Sequence, residues 1–181
     1  WILPLTTIGY AAPGAVLGIG ILVPLAFLDN WLADLLFDFT GYDPGLIFTG
    51  TAFAIILAYC VRFFSIAQQT IDGALGRVSP SLPNAARSLG RSKLQVLWEI
   101  YRPLISASTA TALLLVFVDC VKELPATMLL RPFNFETLAT RVHVQASLED
   151  LPNAAPGAIL IVLIGLCAVF LLARVNKQIP H

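Results

Sequence analysis

Charged side chains are scarce in this chain of 181 residues. They make up 12% of the sequence, whereas hydrophobic residues make up 57%, and the mean hydropathy is +0.82. A soluble domain usually carries about 25% charged residues. The first 28 residues contain no charged residue at all. This shortage of charge predicts an integral membrane protein.

Other absences narrow the possible activities. The formal net charge is zero, so bulk electrostatics give no case for nucleic-acid binding. The three cysteines, Cys60, Cys120 and Cys167, are far apart and lie in apolar stretches, which favours small buried side chains over disulfides or a metal site. Neither His143 nor His181 has a cysteine or carboxylate at metal-ligand spacing. We therefore expect no metal and no cofactor.

The sequence also lacks a catalytic constellation and a phosphate-binding glycine loop. Any ATP hydrolysis would then belong to a partner, so we predict that the chain is not an enzyme by itself. It lacks an initiator methionine, and the basic segment and cleavage site of a signal peptide are missing as well. Because the chain starts at Trp1, we expect a piece of a longer protein.

Four long apolar runs account for most of the chain. A helix that crosses a bilayer needs about 20 predominantly apolar residues. The runs predict four such spans, at residues 11–28, 46–64, 103–124 and 154–173. Gly14 and Gly18, at GxxxG spacing in the first span, favour close helix packing. The predicted fold class is an all-α, polytopic membrane bundle.

The positions of the basic residues predict how the spans are oriented in the membrane. Eight of the 11 lysines and arginines follow either the second or the fourth span. By the positive-inside rule, the loop at residues 65–102 and the C-terminus are cytoplasmic, and the loop between the first two spans is external. We expect that external loop to be solvated, or to attract cations or basic residues of a binding protein. It carries four aspartates: Asp29, Asp34, Asp38 and Asp43.

The predicted cytoplasmic loop has its own helical pattern. After a first helical stretch comes SPSLP, which predicts a helix start with Ser79 or Ser81 as the N-cap. From Asn84 the pattern is helical, and Gly90 marks a stop or bend. Two readings stay open for this short helix: an amphipathic helix at the membrane surface, or a docking helix whose paired alanines let another protein approach closely.

The same loop resembles the EAA motif of ABC-importer permeases. That pattern is E-A-A, three residues, G, nine residues, then I-x-L-P. In the family this helix is the coupling helix, which docks into a groove of the cytoplasmic ATPase subunit. Five positions match in fixed spacing: Ala85, Ala86, Gly90, Ile100 and Pro103.

Two positions depart from the motif. Asn84 stands where the family has Glu, and Arg102 where it has Leu. The family Glu lies three residues after Ser81, at capping-box spacing, so part of its role would be to complete the helix start. Asn84 cannot supply the negative charge, so docking relies on shape and Arg87, or coupling is weaker. We expect Ala85, Ala86 and Gly90 to tolerate bulk poorly.

Two further stretches narrow the resemblance. KELPATMLLRPFNFETLA, from Lys122, resembles the corresponding signature of iron(III)-type importer permeases, and GYAAPG at residues 9–14 is similar to that group's GYAVPG. The resemblance implies a type I (MetI-like) permease in the bacterial inner membrane, with four of the six helices of one half at residues 1–181. It also implies a periplasmic substrate-binding protein, ABC ATPase subunits and a second transmembrane half, fused or homodimeric, as partners besides membrane lipid.

Charges at the end of the third span are the other candidates. Asp119 and Lys122 lie three residues apart on a helix and are predicted to pair. Ionisable residues inside a membrane are functional suspects, so Asp119, Lys122 and Glu123 would lie beside the translocation path, where Pro125 loosens the helix. The alternative is an interfacial cluster of charges with a snorkelling lysine.

The prediction is thus a permease subunit that moves ferric iron and is coupled to an ATPase through residues 84–103. Carboxylates are hard oxygen ligands that suit such a cargo. The alternatives are an importer for another small solute (thiamine, a phosphonate or a polyamine) and a secondary transporter. The last would need charged relays inside several spans.

Overall fold

The computed structural model describes residues 3–177. Within that range every regular element is a helix, and we number the α-helices α1 to α9. Four helical segments are long and apolar enough to cross a membrane: Gly14–Thr40, Ala52–Gly76, Lys93–Lys122 and Leu151–Arg174. The elements are α1 Leu3–Ala11, α2 Gly14–Thr40, α3 Ala52–Gly76, α4 Ser81–Ser88, α5 Lys93–Val96, a π-helical turn Leu97–Tyr101, α6 Arg102–Lys122, α7 Pro125–Leu130, α8 Leu138–Ser147 and α9 Leu151–Lys177.

Four candidate spans were predicted and four are found, but their bounds differ from the prediction, most of all in the first three. Helix α2 continues to Thr40 and ends at Gly41, which has a left-handed backbone (φ 67°) and donates its N–H to the Phe37 carbonyl. Three of the four aspartates placed in an external loop therefore lie on this helix. The reason is that good helix formers continue past Asp29 and no breaker intervenes before Gly41.

Asp29 is a buried structural residue rather than a solvated loop charge. Its side chain is fully buried. The carboxylate accepts backbone N–H bonds from Ile47 (3.1 Å), Phe48 (2.9 Å) and Thr49 (2.6 Å), and also the Thr49 hydroxyl. These bonds hold residues 47–49 in a turn, which explains why α3 starts at Ala52 and not at the predicted residue 46.

Helix α3 also runs further than predicted at its other end. It passes through Arg62 and ends at Gly76, within the loop predicted at residues 65–102. The third segment likewise begins earlier than predicted, at Lys93, because α5, the π-turn and α6 follow one another without a gap. The second and third spans are therefore continuous with segments that had been assigned to the loop.

The chain forms two compact units, Trp1–Ser65 with Asp119–Ile164 and Ile66–Val118 with Gly165–His181. The core of the first unit lies where α2, α3 and α7 meet. Gly18 faces α7 closely: a Cβ atom on it would lie 3.1 Å from Leu129 Cδ1 and 3.4 Å from Ala126 Cα. The packing role predicted for the small residues is found here. The buried core residues are Leu17, Leu25, Ala54, Ile55, Ala58 and Leu130.

Many large apolar side chains face outward. In α9, Val162, Leu166 and Phe170 are each about 60% exposed. In water such a surface would be costly, at about 25 cal/mol per Å² of apolar area. The exposed apolar faces, together with the length of the helices, make this a membrane-embedded chain.

Replacing Asp29 by Asn tests its structural role. The amide NH2 group would lie against two backbone N–H donors in either orientation, and the negative charge would be lost, so we expect Asp29→Asn to lower the stability by about 1.5–3 kcal/mol. Thermal unfolding of the full-length permease in detergent measures this. Asp34→Asn, on the exposed side of the same helix, is the matched control and should change stability by less than about 0.5 kcal/mol. Equal melting temperatures for the two variants would contradict the assignment.

Candidate functional site

The residues that match the EAA pattern lie on α4 and in the segment that follows it. Asn84, Ala85 and Arg87 are exposed on α4, and Ala86 is half-buried. Leu89, at the end of the helix, is 84% exposed. The only buried residue of α4 is Pro83, so the helix presents most of its surface outward. An exposed apolar side chain beside two alanines is a geometry suited to docking.

The predicted N-cap of α4 is wrong. Pro80 occupies the cap position and no side chain caps the helix. The hydroxyls of Ser79 and Ser81 instead bond each other at 2.8 Å. Ser81 is already helical, so a side chain at position 84 is not at capping-box distance from an N-cap. The capping role inferred for the family's Glu at this position is therefore not supported in this chain.

The capping box of the loop lies eleven residues further on. Ser92 caps α5: its hydroxyl accepts the Gln95 N–H (3.3 Å), and the Gln95 side chain accepts the Ser92 N–H (2.9 Å). The sequence S-K-L-Q carried this signature, and the sequence analysis missed it. The box fixes where the third candidate span begins.

Gly90 ends α4 as expected, through a Schellman motif. Its N–H bonds the Arg87 carbonyl at 2.9 Å, and the Arg91 N–H bonds the Ala86 carbonyl at 3.1 Å. Gly90 has φ 83°, and a Cβ atom placed on it would meet nothing within 4 Å. Glycine is therefore favoured at this position by the left-handed backbone, which costs any other residue about 1–2 kcal/mol. Lack of space within this chain is not the reason.

The last two matching positions lie where the loop joins the third span. Ile100 is half-buried in the π-helical turn, and Pro103 is exposed in the first turn of α6. The Arg102 N–H bonds the Leu97 carbonyl, which is five residues earlier. A proline has no N–H to donate to the residue four before it, so a wider turn next to Pro103 leaves fewer backbone groups unpaired. Such π-turns often occur at functional sites.

The charges at the end of α6 divide into two pairs. Lys122 Nζ lies 2.7 Å from Asp119 Oδ1, as predicted, and the Lys122 side chain is 63% exposed. Glu123 does not face outward with them, because its side chain is only 8% exposed and lies against Arg62 on α3. The helix ends at Lys122, and Pro125 opens α7.

The pair of Arg62 and Glu123 was missed by sequence reasoning. Arg62 Nε lies 3.1 Å from Glu123 Oε2, in an electrostatic contact without hydrogen-bond geometry. Arg62 Nη1 donates to the Ala12 carbonyl at 3.0 Å. Glu123 Oε1 accepts the Ala126 N–H at 3.3 Å. A charge inside an apolar run was visible in the sequence, but its partner lies 61 residues away.

A second polar contact holds α7 in the same place. The Thr127 side chain is fully buried. Its hydroxyl lies 2.6 Å from the Tyr59 hydroxyl and donates to the Glu123 carbonyl at 3.0 Å. Helix α3 therefore contacts the start of α7 through both Tyr59 and Arg62.

The stretch after α7 forms an outward loop. Phe133 is 99% exposed, and Asn134 has a left-handed backbone (φ 62°). Arg131 Nη1 lies 3.9 Å from Glu136 Oε1. Thr137 then caps α8 through a box with Thr140. Across the described residues, no three histidine, cysteine or acidic side chains are grouped so that they could hold a metal ion.

The family described as "Binding-protein-dependent transport system inner membrane component" matches residues 1–180. The chain belongs to this family. It is therefore grouped with the permeases of ABC importers, as the EAA-like loop had indicated, and its all-α membrane fold agrees with that membership.

Individual relatives fall into two groups by the cargo in their names. The Fe(3+)-transport system permease protein FbpB 2 of Haemophilus influenzae is 34% identical over 124 residues, which cover 68% of this chain and 24% of the relative. The Ferric transport system permease protein FbpB of Actinobacillus pleuropneumoniae is 28% identical over 161 residues, 85% of this chain and 21% of the relative. The chain thus resembles iron(III) transport permeases.

The other group carries a different cargo name. The Putative 2-aminoethylphosphonate transport system permease protein PhnV of Salmonella typhimurium is 29% identical over 173 residues, 93% of this chain and 58% of the relative. The chain therefore spans about a quarter of the length of the iron permeases and a little over half of the phosphonate permease. All of these relatives are named as transport permeases and not as enzymes.

Gly14 provides a test of the packing around the buried pair. A Cβ atom on Gly14 would lie 2.7 Å from Glu123 Oε1, 3.2 Å from Arg62 Nη1 and 3.3 Å from Pro125 Cβ. We expect Gly14→Ala to destabilise the full-length permease by about 1–3 kcal/mol, because the charged groups must move apart. Thermal unfolding in detergent gives the value.

Gly20 is the matched control for Gly14, since it lies on the same helix and a Cβ atom there would meet nothing within 4 Å. Gly20→Ala should be neutral or slightly stabilising, because alanine favours a helix by about 1 kcal/mol over glycine. A Gly14→Ala variant as stable as Gly20→Ala would show that the pair is not packed as described.

Proposed function

We propose that this chain is part of the transmembrane permease of an ABC importer, that it forms the translocation path for ferric iron, and that it is coupled to a cytoplasmic ATPase through residues 84–103. The observation that carries the proposal is the exposed α4, on which the motif residue Ala85 and the nearby Arg87 face outward ahead of a Schellman turn at Gly90. A short, exposed helix of this kind is suited to transmit the movement of a partner protein to the rest of the chain.

Coupling is proposed to act as follows. ATP binding closes the ATPase subunits, and α4 moves with the groove in which it is seated. The segment after Gly90 continues without a break through the Ser92 cap, the π-turn and α6, so displacement of α4 is passed to the third span. The proposed coupling residues are Asn84, Ala85, Ala86, Arg87, Gly90, Ile100 and Pro103. Without a glutamate at position 84, docking relies on shape and on Arg87.

The proposed orientation places α4 in the cytoplasm. With Arg62 left out because it lies within α3, seven basic residues still fall in the segments on the α4 side, between Arg77 and Arg102 and after the fourth span. Lys122, Arg131 and Arg141 fall on the opposite side. The positive-inside rule then favours a cytoplasmic C-terminus. The family description, which names an inner membrane component, favours a bacterial inner-membrane location. A periplasmic binding protein would deliver the cargo on the opposite face, and a second transmembrane half, fused or separate, would complete the path.

Ferric iron is the proposed cargo because of the relatives' names and of the chemistry near the end of α6. Asp119 and Lys122 form an ion pair whose lysine is largely exposed, and a carboxylate is a hard oxygen ligand suited to ferric ion. We propose that this pair lies beside the path, and that Glu123 and Pro125 shape the wall behind it. A 2-aminoethylphosphonate is the second candidate, since a permease with that name is matched over 58% of its length.

A secondary transporter is disfavoured for a specific reason. That class needs charged relays within several spans, and α2 does carry three aspartates. However, Asp29 is fully engaged by the backbone of residues 47–49, and Asp34 and Asp38 are exposed near the end of the helix. These positions do not form a relay through the span.

The coupling proposal is tested by adding bulk at Ala85. In the full-length permease, assembled with its ATPase and binding protein in vesicles, Ala85→Trp should lower the ATPase stimulation by ferric-loaded binding protein by about tenfold or more. A loss of about 1.4 kcal/mol at the docking interface corresponds to that factor. Gly73→Leu, at a position where a Cβ atom meets nothing within 4 Å, is the control and should retain stimulation.

Two results would count against the proposal. Normal stimulation of an assembled Ala85→Trp complex would remove α4 as the coupling element. Stimulation by a binding protein loaded with 2-aminoethylphosphonate, and not by the ferric-loaded one, would leave coupling intact and replace the cargo.

A further inference from the structure

Arg62 and Glu123 are charged side chains inside a membrane-embedded unit, and the proposed coupling loop does not account for them. Arg62 lies ten residues after the start of α3, about 15 Å along the helix, so it cannot be a simple boundary residue. The side chains of the pair are 17% and 8% exposed. Ionisable groups at such positions are costly and usually carry a function.

The pair lies between two breaks in the helices. The first is at Ala12 and Pro13, where α1 ends at Ala11 and α2 begins at Gly14. The second is at Glu123 and Leu124, between the end of α6 and the start of α7. Each break is followed or occupied by a proline, Pro13 and Pro125, and Gly14 leaves just enough room for the Glu123 carboxylate beside it.

One guanidinium joins the two breaks. Arg62 Nη1 donates to the Ala12 carbonyl of the first break (3.0 Å), and Arg62 Nε faces the Glu123 carboxylate at the second (3.1 Å). Glu123 Oε1 in turn accepts the Ala126 N–H in the first turn of α7. Backbone groups freed inside a membrane need an internal partner, and this set of contacts supplies it.

Helix α7 depends on such contacts for its orientation. It has only six residues; residues 123 and 124 before it belong to no helix, and Arg131 after it is extended. Ala126 and Thr127 are fully buried, so the helix is held by its neighbours and not by continuation of a longer helix. Its start is three residues from Lys122, so a change in its tilt would displace the end of α6.

We propose that Arg62 and Glu123 are positioning residues for transport, which fix α7 and the end of α6 by joining the two helix breaks. The inference rests on the proposed importer function. It assigns the pair a role beyond stability, because a buried ion pair can often be replaced by apolar side chains of similar volume without loss of stability. Coupling between distant sites is typically altered by about 2- to 30-fold when such intermediate residues change.

The decisive variant replaces both charges at once. In the full-length permease, assembled with its ATPase and ferric-loaded binding protein in vesicles, Arg62→Met with Glu123→Leu should assemble, because neither charge is left unpaired. It should melt somewhat below wild type, because the Ala12 carbonyl and the Ala126 N–H lose their side-chain partners. The amount of iron moved per ATP hydrolysed should nevertheless fall by about 2- to 30-fold. Wild-type transport per ATP in the double variant would show a merely structural pair and overturn the inference.

A conservative variant covers the case in which the double variant does not assemble. Arg62→Lys keeps the charge and pairs with Glu123, but an ammonium cannot reproduce the planar fork that reaches both breaks. It should assemble and still lose transport per ATP. Full transport per ATP in Arg62→Lys would overturn the bridging role.

Glu136→Gln is the matched control. It removes the acidic charge from an ion pair of the same unit that is longer (3.9 Å) and whose glutamate is 47% exposed, so transport per ATP should stay at the wild-type value. A wild-type complex that hydrolyses ATP without moving iron would contradict the proposed cargo. The inference about Arg62 and Glu123 is overturned by different results, namely full transport per ATP in the double variant or in Arg62→Lys.

Discussion

The arrangement of the first unit depends on one constraint, that backbone groups freed in an apolar environment must find partners inside the protein. Helix breaks at Ala12–Pro13 and Glu123–Leu124 free such groups. Arg62 reaches both breaks from the middle of α3. Asp29 plays the corresponding part for the turn at residues 47–49. At these places, a charged side chain bonds backbone groups that the helices leave without a partner.

The same principle separates the two kinds of charge in this sparsely charged chain. Glu123 and Asp29 are buried and Arg62 is half-buried; all three are bonded, and they shape the helices around them. Arg87 is exposed on α4, and the Lys122 side chain is largely exposed at the end of α6. In the proposed importer, the exposed charged residues contact the ATPase and the cargo. The bonded charged residues hold the helices that they join in place.

Local patterns predicted some features well because their causes are local. Apolar runs long enough to span a bilayer, the glycine stop at Gly90 and the pairing of Asp119 with Lys122 all depend on neighbours within a few residues. The partners of Asp29 and Arg62 could not be predicted, since they lie 18 to 20 residues and 61 residues away along the chain. The bounds of α2 and α3 shifted for the same reason, because charges that find buried partners do not end a helix.

The most direct test of the account is cross-linking of α4 to the ATPase. In the full-length permease with Cys60, Cys120 and Cys167 replaced by serine, a single cysteine is placed at Ala85, and a second protein carries one at Phe39 instead. Both positions are exposed, so a bifunctional thiol reagent can reach them. The account predicts that the Ala85 cysteine forms a covalent adduct with a cysteine in the ATPase groove and that the Phe39 cysteine does not. An adduct from Phe39, or none from Ala85 in an assembled complex, would contradict it.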